Sequence, residues 1–172
     1  MDLAHLHLLF NHLPIFGSIL GALVMVQGIS TKSESTTRAA LGVFVISAIG
    51  ACIAYYTGEP AAEKVESLAG ISRSAIEAHE EFAEIALVGM IILGVCSLIG
   101  LFLSFKKSSY IRLASFVLLL ISLISFGLVA RTGYLGGEIR HSDASNLQGF
   151  KSNSLDSLQE VQATKAVEED KD

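Results

Sequence analysis

Five histidines occur in this chain of 172 residues, His5, His7, His12, His79 and His141, and each stands at or just beyond the same end of a long apolar block. Imidazole is a ligand for haem iron, and two imidazoles on facing helices can hold one haem from opposite faces of the ring. His12, in Asn11-His12-Leu13-Pro14, and His79, in Ala78-His79-Glu80-Glu81, each open such a block. They are expected at similar depth, facing each other, as axial ligands of a b-type haem. His7 stands five residues before His12, off its helical face, and could fold back toward the site. His141 closes the run Gly136-Gly137-Glu138-Ile139-Arg140 and is either a further ligand or a partner for the acidic loop. His5 reads as a surface residue.

A second chemistry is open to the acids. Thr57-Gly58 is followed by Glu63 and Thr132-Gly133 by Glu138 with the same spacing. Two such carboxylates with histidines could hold Zn²⁺ or Fe²⁺ instead of haem. The plainer readings are histidines bonded to backbone or water at an interface, and glutamates paired with Arg73, Arg131 and Arg140 or capping turns.

The elements that must position these groups are four apolar blocks, at 8–29, 39–56, 83–105 and 111–130. Each is long enough for the ~20 helical residues that cross a hydrocarbon core. No charged residue lies between Ala39 and Thr57 or between Ile85 and Phe105, whereas a soluble bundle needs charged faces between its apolar stripes. Period-two alternation is absent, so helices and not barrel strands satisfy the backbone. The expected fold is all-α: an integral membrane, up-down four-helix bundle over 1–141, with lipid as its surroundings. Residues 142–172, rich in Ser, Asp, Gln and Glu, read as a flexible polar tail.

Charge sets the expected orientation. Lys32 and Arg38 lie between the first two blocks, and Lys106, Lys107 and Arg112 between the last two. The positive-inside rule makes these turns cytoplasmic and both termini periplasmic, in a multi-pass protein of the bacterial inner membrane. The start, Met-Asp-Leu-Ala-His, carries no basic region, so the first helix is read as retained. Residues 59–78 are expected as a separate interfacial helix broken at Gly70. Cys52 and Cys96 fall at different depths and read as packing residues. Gly17 and Gly21 form a GxxxG suited to close helix packing.

The doubled Thr-Gly pattern and the histidines opening the first and third blocks suggest two duplicated helical hairpins, related by an axis along the membrane normal. No phosphate loop, CxxCH haem-attachment motif, CxxC pair or nucleophile elbow is present. At a net charge of −5, with no strongly basic patch, nucleic acid is not expected as a partner. The helices read as uniformly apolar near the midplane, which argues against a transporter.

The segment His7-Leu-Leu-Phe-Asn-His12-Leu-Pro-Ile resembles the HPxxVHFPI opening of the bacterial four-helix membrane proteins grouped as DUF2231. Thr132-Gly-Tyr-Leu-Gly-Gly-Glu-Ile-Arg-His141 is similar to their closing TGxxGGxLxxxHG element. Leu8 stands where that family has proline and Ser142 where it has glycine. Some members carry Rieske iron–sulfur domains, so the resemblance implies membrane redox chemistry; this chain lacks the cysteines for such a domain. The resulting expectation is a haem-binding electron carrier or subunit, not a stand-alone enzyme, passing electrons between quinol and a periplasmic or membrane partner. The alternative is a non-redox metal-binding or accessory subunit of a homo-oligomer or larger membrane complex.

Overall fold

The computed structural model describes residues 2–66 and 72–139. The helices are α1 (Leu3–Phe10), α2 (His12–Thr31), α3 (Glu34–Glu66), α4 (Arg73–Phe105) and α5 (Ile111–Ile139). Helices α1 and α2 form one rod of 29 residues with an irregularity at Asn11. Its cause is Pro14, which has no N–H to give the carbonyl of Phe10 and sits comfortably in the first turn of α2. Four helical rods therefore run up and down, each long and apolar enough to cross a membrane.

The bundle is built inside out relative to a soluble one. Its interior holds small and weakly polar side chains: Gly17, Ser18 and Gly21 on α2, Ser47 on α3, Ser97 on α4, Ser122 and Ser125 on α5. The large apolar residues point outward, among them Phe16, Leu20, Leu120 and Ile124, each more than half exposed. A water-soluble monomer does not present so continuous an apolar exterior. In lipid the same arrangement is favoured, because small residues let helix backbones approach and bury van der Waals contact. Most of the interior hydroxyls return to their own helix, as Ser18 does to Pro14 O at 2.7 Å and Ser47 to Val43 O at 2.7 Å.

The buried faces follow a heptad-like rhythm. On α2, Pro14, Ser18, Gly21, Met25 and Gly28 are buried at alternating steps of four and three, and on α4 so are Ala86, Met90, Leu93, Ser97, Gly100 and Ser104. That spacing keeps a seam facing its neighbour along the rod. Gly21 lies against the ring of Phe44, Gly94 against Ala48, and Gly133 of α5 against Ile15 of α2. Met25, Leu41, Phe44, Met90 and Leu93 fill the remaining core completely out of contact with the exterior.

Both hairpin turns are made the same way. Lys32 and Lys107 each adopt the left-handed conformation, at φ 55° and 51°, and the following serine N–H reaches back to Gly28 O and Leu103 O at 3.0 Å. This is a Schellman stop with lysine where glycine is usual. The interval between these lysines also separates Thr57 from Thr132 and the buried Ser47 from Ser122, as two repeated hairpins require. Beside the first turn, Arg38 ties α3 to α4: its Nε donates to Ser104 Oγ at 2.8 Å while Nη2 pairs with Glu34 at 2.9 Å.

The segment from Glu59 onward departs from expectation. It is not a separate interfacial helix: α3 continues through Pro60 to Glu66, and α4 starts at Arg73. At 1.5 Å per residue a 33-residue helix is about 50 Å long, well beyond the ~30 Å hydrocarbon core. The charged extensions of α3 and α4 thus stand clear of the apolar slab and pack on each other, with Arg73 between Glu66 at 3.5 Å and Glu77 at 3.3 Å.

Candidate functional site

At the end of the bundle away from the basic turns, two histidines are held alike. His7 of α1 has Nδ1 2.8 Å from Ala54 O of α3, and His79 of α4 has Nδ1 2.9 Å from Thr132 O of α5. A carbonyl only accepts, so Nδ1 carries the hydrogen in both rings and, in the neutral form, Nε2 keeps its lone pair. Each ring also rests against a glycine four residues beyond its acceptor. A Cβ on Gly58 would stand 3.6 Å from His7 Cε1, and one on Gly136 would stand 3.2 Å from His79 Cε1. The two imidazoles are both partly buried.

His12 does not share this position. It is exposed on α2 and stacks on Phe16, with ring centroids 6.4 Å apart and planes at 13°. The sequence put His12 opposite His79; in the structure His7 is the residue of this segment that turns inward, and His12 turns out. Helix geometry gives the reason. At 100° per residue, a position four beyond His7 shares its face and a position five beyond is turned well away. The inward position is taken by Asn11, whose Oδ1 is buried without a hydrogen-bond partner. The signal was present in the sequence: the small-residue stripe at Pro14, Ser18, Gly21, Met25 and Gly28, extended backward by the same steps, passes through Asn11 and His7. On α4 the corresponding stripe, extended back from Ala86 toward buried Ile76, passes through His79.

The layer beneath is closed. Leu13 packs against Gly50 and Ile15 against Gly133, so any group reaching the histidines must sit at the bundle end. Thr57 and Thr132 lock the receiving helices, each hydroxyl bonded to its own helix at Ile53 O (2.8 Å) and Leu128 O (3.0 Å).

The acids form a different feature. Glu63 is exposed and lines a cleft of about 260 Å³ with Glu59, Glu66, Glu77, Glu80 and Arg73 between the extensions of α3 and α4. Glu138 is exposed on the last turn of α5. Among the described residues no three His, Cys, Asp or Glu side chains gather around one point, so neither acid joins the histidines in a compact donor set. His141 and the 142–172 tail lie outside the described residues. His5 is exposed, as expected.

No protein-family model, curated protein or solved structure matches the chain.

Proposed function

We propose that this chain is a haem-binding electron-transfer protein of the bacterial inner membrane, with His7 and His79 as the axial ligands. The observation that carries the reading is the matched pair of Nδ1–H···O=C bonds, which fixes both tautomers and leaves two Nε2 lone pairs at one end of an apolar bundle. Ligating histidines are characteristically oriented in this way, by a carbonyl bonded to the ring nitrogen that does not bind.

The donor set fits haem better than a bare ion. A structural zinc takes four protein ligands and a catalytic one three, whereas haem needs only two from the chain and brings its other donors itself. The haem, when bound, would supply one-electron chemistry. The chain would hold it: Ala54 and Thr132 orient the rings, Gly58 and Gly136 leave room for them, and Leu13 and Ile15 shield the inner side. The basic turns at the other end support a periplasmic location for this one under the positive-inside rule, and there a periplasmic or membrane partner would exchange electrons with it.

The test is a reduced-minus-oxidised visible spectrum and metal analysis of the detergent-purified protein, made in cells that synthesise haem. Wild type and His12→Ala should give a b-type spectrum, and His7→Ala and His79→Ala should lose it. A colourless wild type without iron would overturn the proposal, and a stoichiometric zinc content would move the reading to a non-redox metal or accessory subunit. Persistence of the spectrum in His7→Ala would overturn the ligand assignment alone.

A further inference from the structure

At the opposite end of the bundle, α4 and α5 do not close completely against each other. A groove of about 280 Å³ runs between them on the lipid-facing surface, walled by Leu103 on one side and by Leu113, Val117 and Ile121 on the other, with Gly100 and Ala114 setting its depth. From Tyr110 to Ile121 it follows α5 for about 16 Å at the helical rise per residue. Its lining is almost wholly apolar, as suits a hydrocarbon chain.

The mouth of the groove lies at the turn that carries Lys106, Lys107 and Arg112, all exposed. Lys106 leans over the ring of Phe102 at 5.8 Å, and no carboxylate pairs with any of the three among the described residues. The other turn carries less free charge: the Arg38 guanidinium is already engaged by Glu34 and Ser104, which leaves Lys32 alone there. An apolar channel ending in unneutralised cations, at the depth where headgroups begin, is complementary to one kind of molecule.

We propose that this groove is a binding site for an anionic phospholipid, one acyl chain lying between α4 and α5 and the phosphate held by Lys106, Lys107 and Arg112. Tyr110, exposed at the mouth, sits at headgroup level as interfacial tyrosines do. Basic pockets between transmembrane helices recognise anionic headgroups through this combination of charge and depth. The site is independent of the histidine end and of any cofactor there.

The chain contains no tryptophan, so a single introduced indole can report on lipid contact in the full-length protein reconstituted in vesicles. Leu113→Trp places the reporter in the groove wall, and Val26→Trp places one on the lipid face of α2 near the other basic turn; both positions are exposed. Quenching is compared for brominated phosphatidylglycerol and brominated phosphatidylcholine, each diluted into the same unlabelled mixture. The Leu113→Trp reporter should prefer the anionic lipid by about fivefold, the effect of one well-placed basic residue. Raised salt should reduce this preference, and adding Lys106→Gln, Lys107→Gln and Arg112→Gln should remove it while helical circular dichroism is retained. Equal preference at Val26→Trp would mean diffuse attraction to the basic end and would overturn the proposal. Survival of the preference in the triple glutamine variant would overturn it too.

Discussion

The seam between α2 and α3 makes a sharp demand at Gly17. A Cβ there would stand 1.8 Å from Ser47 Oγ and 2.9 Å from Ser47 Cβ. Rotating the serine would clear the oxygen but forfeit its 2.7 Å bond to Val43 O. The Cβ contact would remain, still well inside the 3.4–4 Å of ordinary van der Waals separation. The helices must therefore move apart, and Gly17→Ala should destabilise the bundle by about 1–3 kcal/mol, the usual cost of overpacking a close-packed interior. Gly42 is the internal control. Nothing lies within 4 Å of a Cβ at that position, so Gly42→Ala should be neutral or gain up to ~1 kcal/mol from helix propensity. Ser47→Gly removes the opposing atoms, so Gly17→Ala with Ser47→Gly should recover most of the loss. Unfolding in mixed micelles, titrated with a denaturing detergent and followed by helical circular dichroism, would supply the four corners of the double-mutant cycle. A coupling energy below about 0.5 kcal/mol, the limit for independent sites, would show that α2 and α3 do not meet through this pair. Equal stability of Gly17→Ala and Gly42→Ala would refute the close approach itself.

Two other predictions concern the histidine end. Gly136→Ala places a Cβ 3.2 Å from Cε1 and 3.3 Å from Nδ1 of His79, so it should displace the ring and weaken the bond to Thr132 O. The same change at Gly58, where His7 is at 3.6 Å, should be tolerated. If the haem reading holds, the spectrum should broaden or be lost in Gly136→Ala only; otherwise imidazole proton chemical shifts of the two histidines report the difference. At the start of α1, the Lys64 ammonium bonds Asp2 and holds its carboxyl below the usual carboxylate range. A depressed carboxylate contributes stability above its unfolded value and loses it as the pH falls through its folded value. Proteolysis of the α1 end should therefore accelerate on acidification through that lower range, and Asp2→Asn should be fast at every pH. A pH-independent wild-type rate would remove this role from the pair.

The four spans were legible because lipid imposes a one-dimensional rule: a charge-free run of sufficient length has few other places to go. Their ends were less legible. The second block was expected to end at residue 56 and a separate helix to follow from Glu59, yet α3 passes through Glu59 and Pro60, since a proline near the aqueous end costs one backbone bond that water can replace and the extension gains a partner in α4. The identity of the inward histidine was recoverable but required the right signal. Apolar content says nothing in a membrane helix, where both faces are apolar; the inward face is marked by small residues, and that stripe selects His7 over His12. The interior serines correct the impression of uniformly apolar helices for the same reason. A hydroxyl bonded to its own helix is compact enough for a close interface and counts as small before it counts as polar.

The two hairpins share one spacing at several positions, yet the histidine sites within them are not in register. Lys32 and Lys107, Ser47 and Ser122, and Thr57 and Thr132 share one interval, but the glycine beneath His7 is the one in Thr57-Gly58, whereas the glycine beneath His79 is Gly136, three residues past the matching Gly133. Gly133 is instead occupied by Ile15. A strict duplicate would have set the second imidazole against Gly133. The second imidazole thus sits nearly one turn farther out along its receiving helix than the first. Moving the register glycine, by Gly136→Leu with Ile15→Ala, should not rebuild the site one turn deeper: the leucine pushes the His79 ring off Thr132 O, and α4 still holds His79 at its own level, out of reach of the space opened beside Gly133. The position of the site is set by the histidines' own helices, and the glycines only permit it.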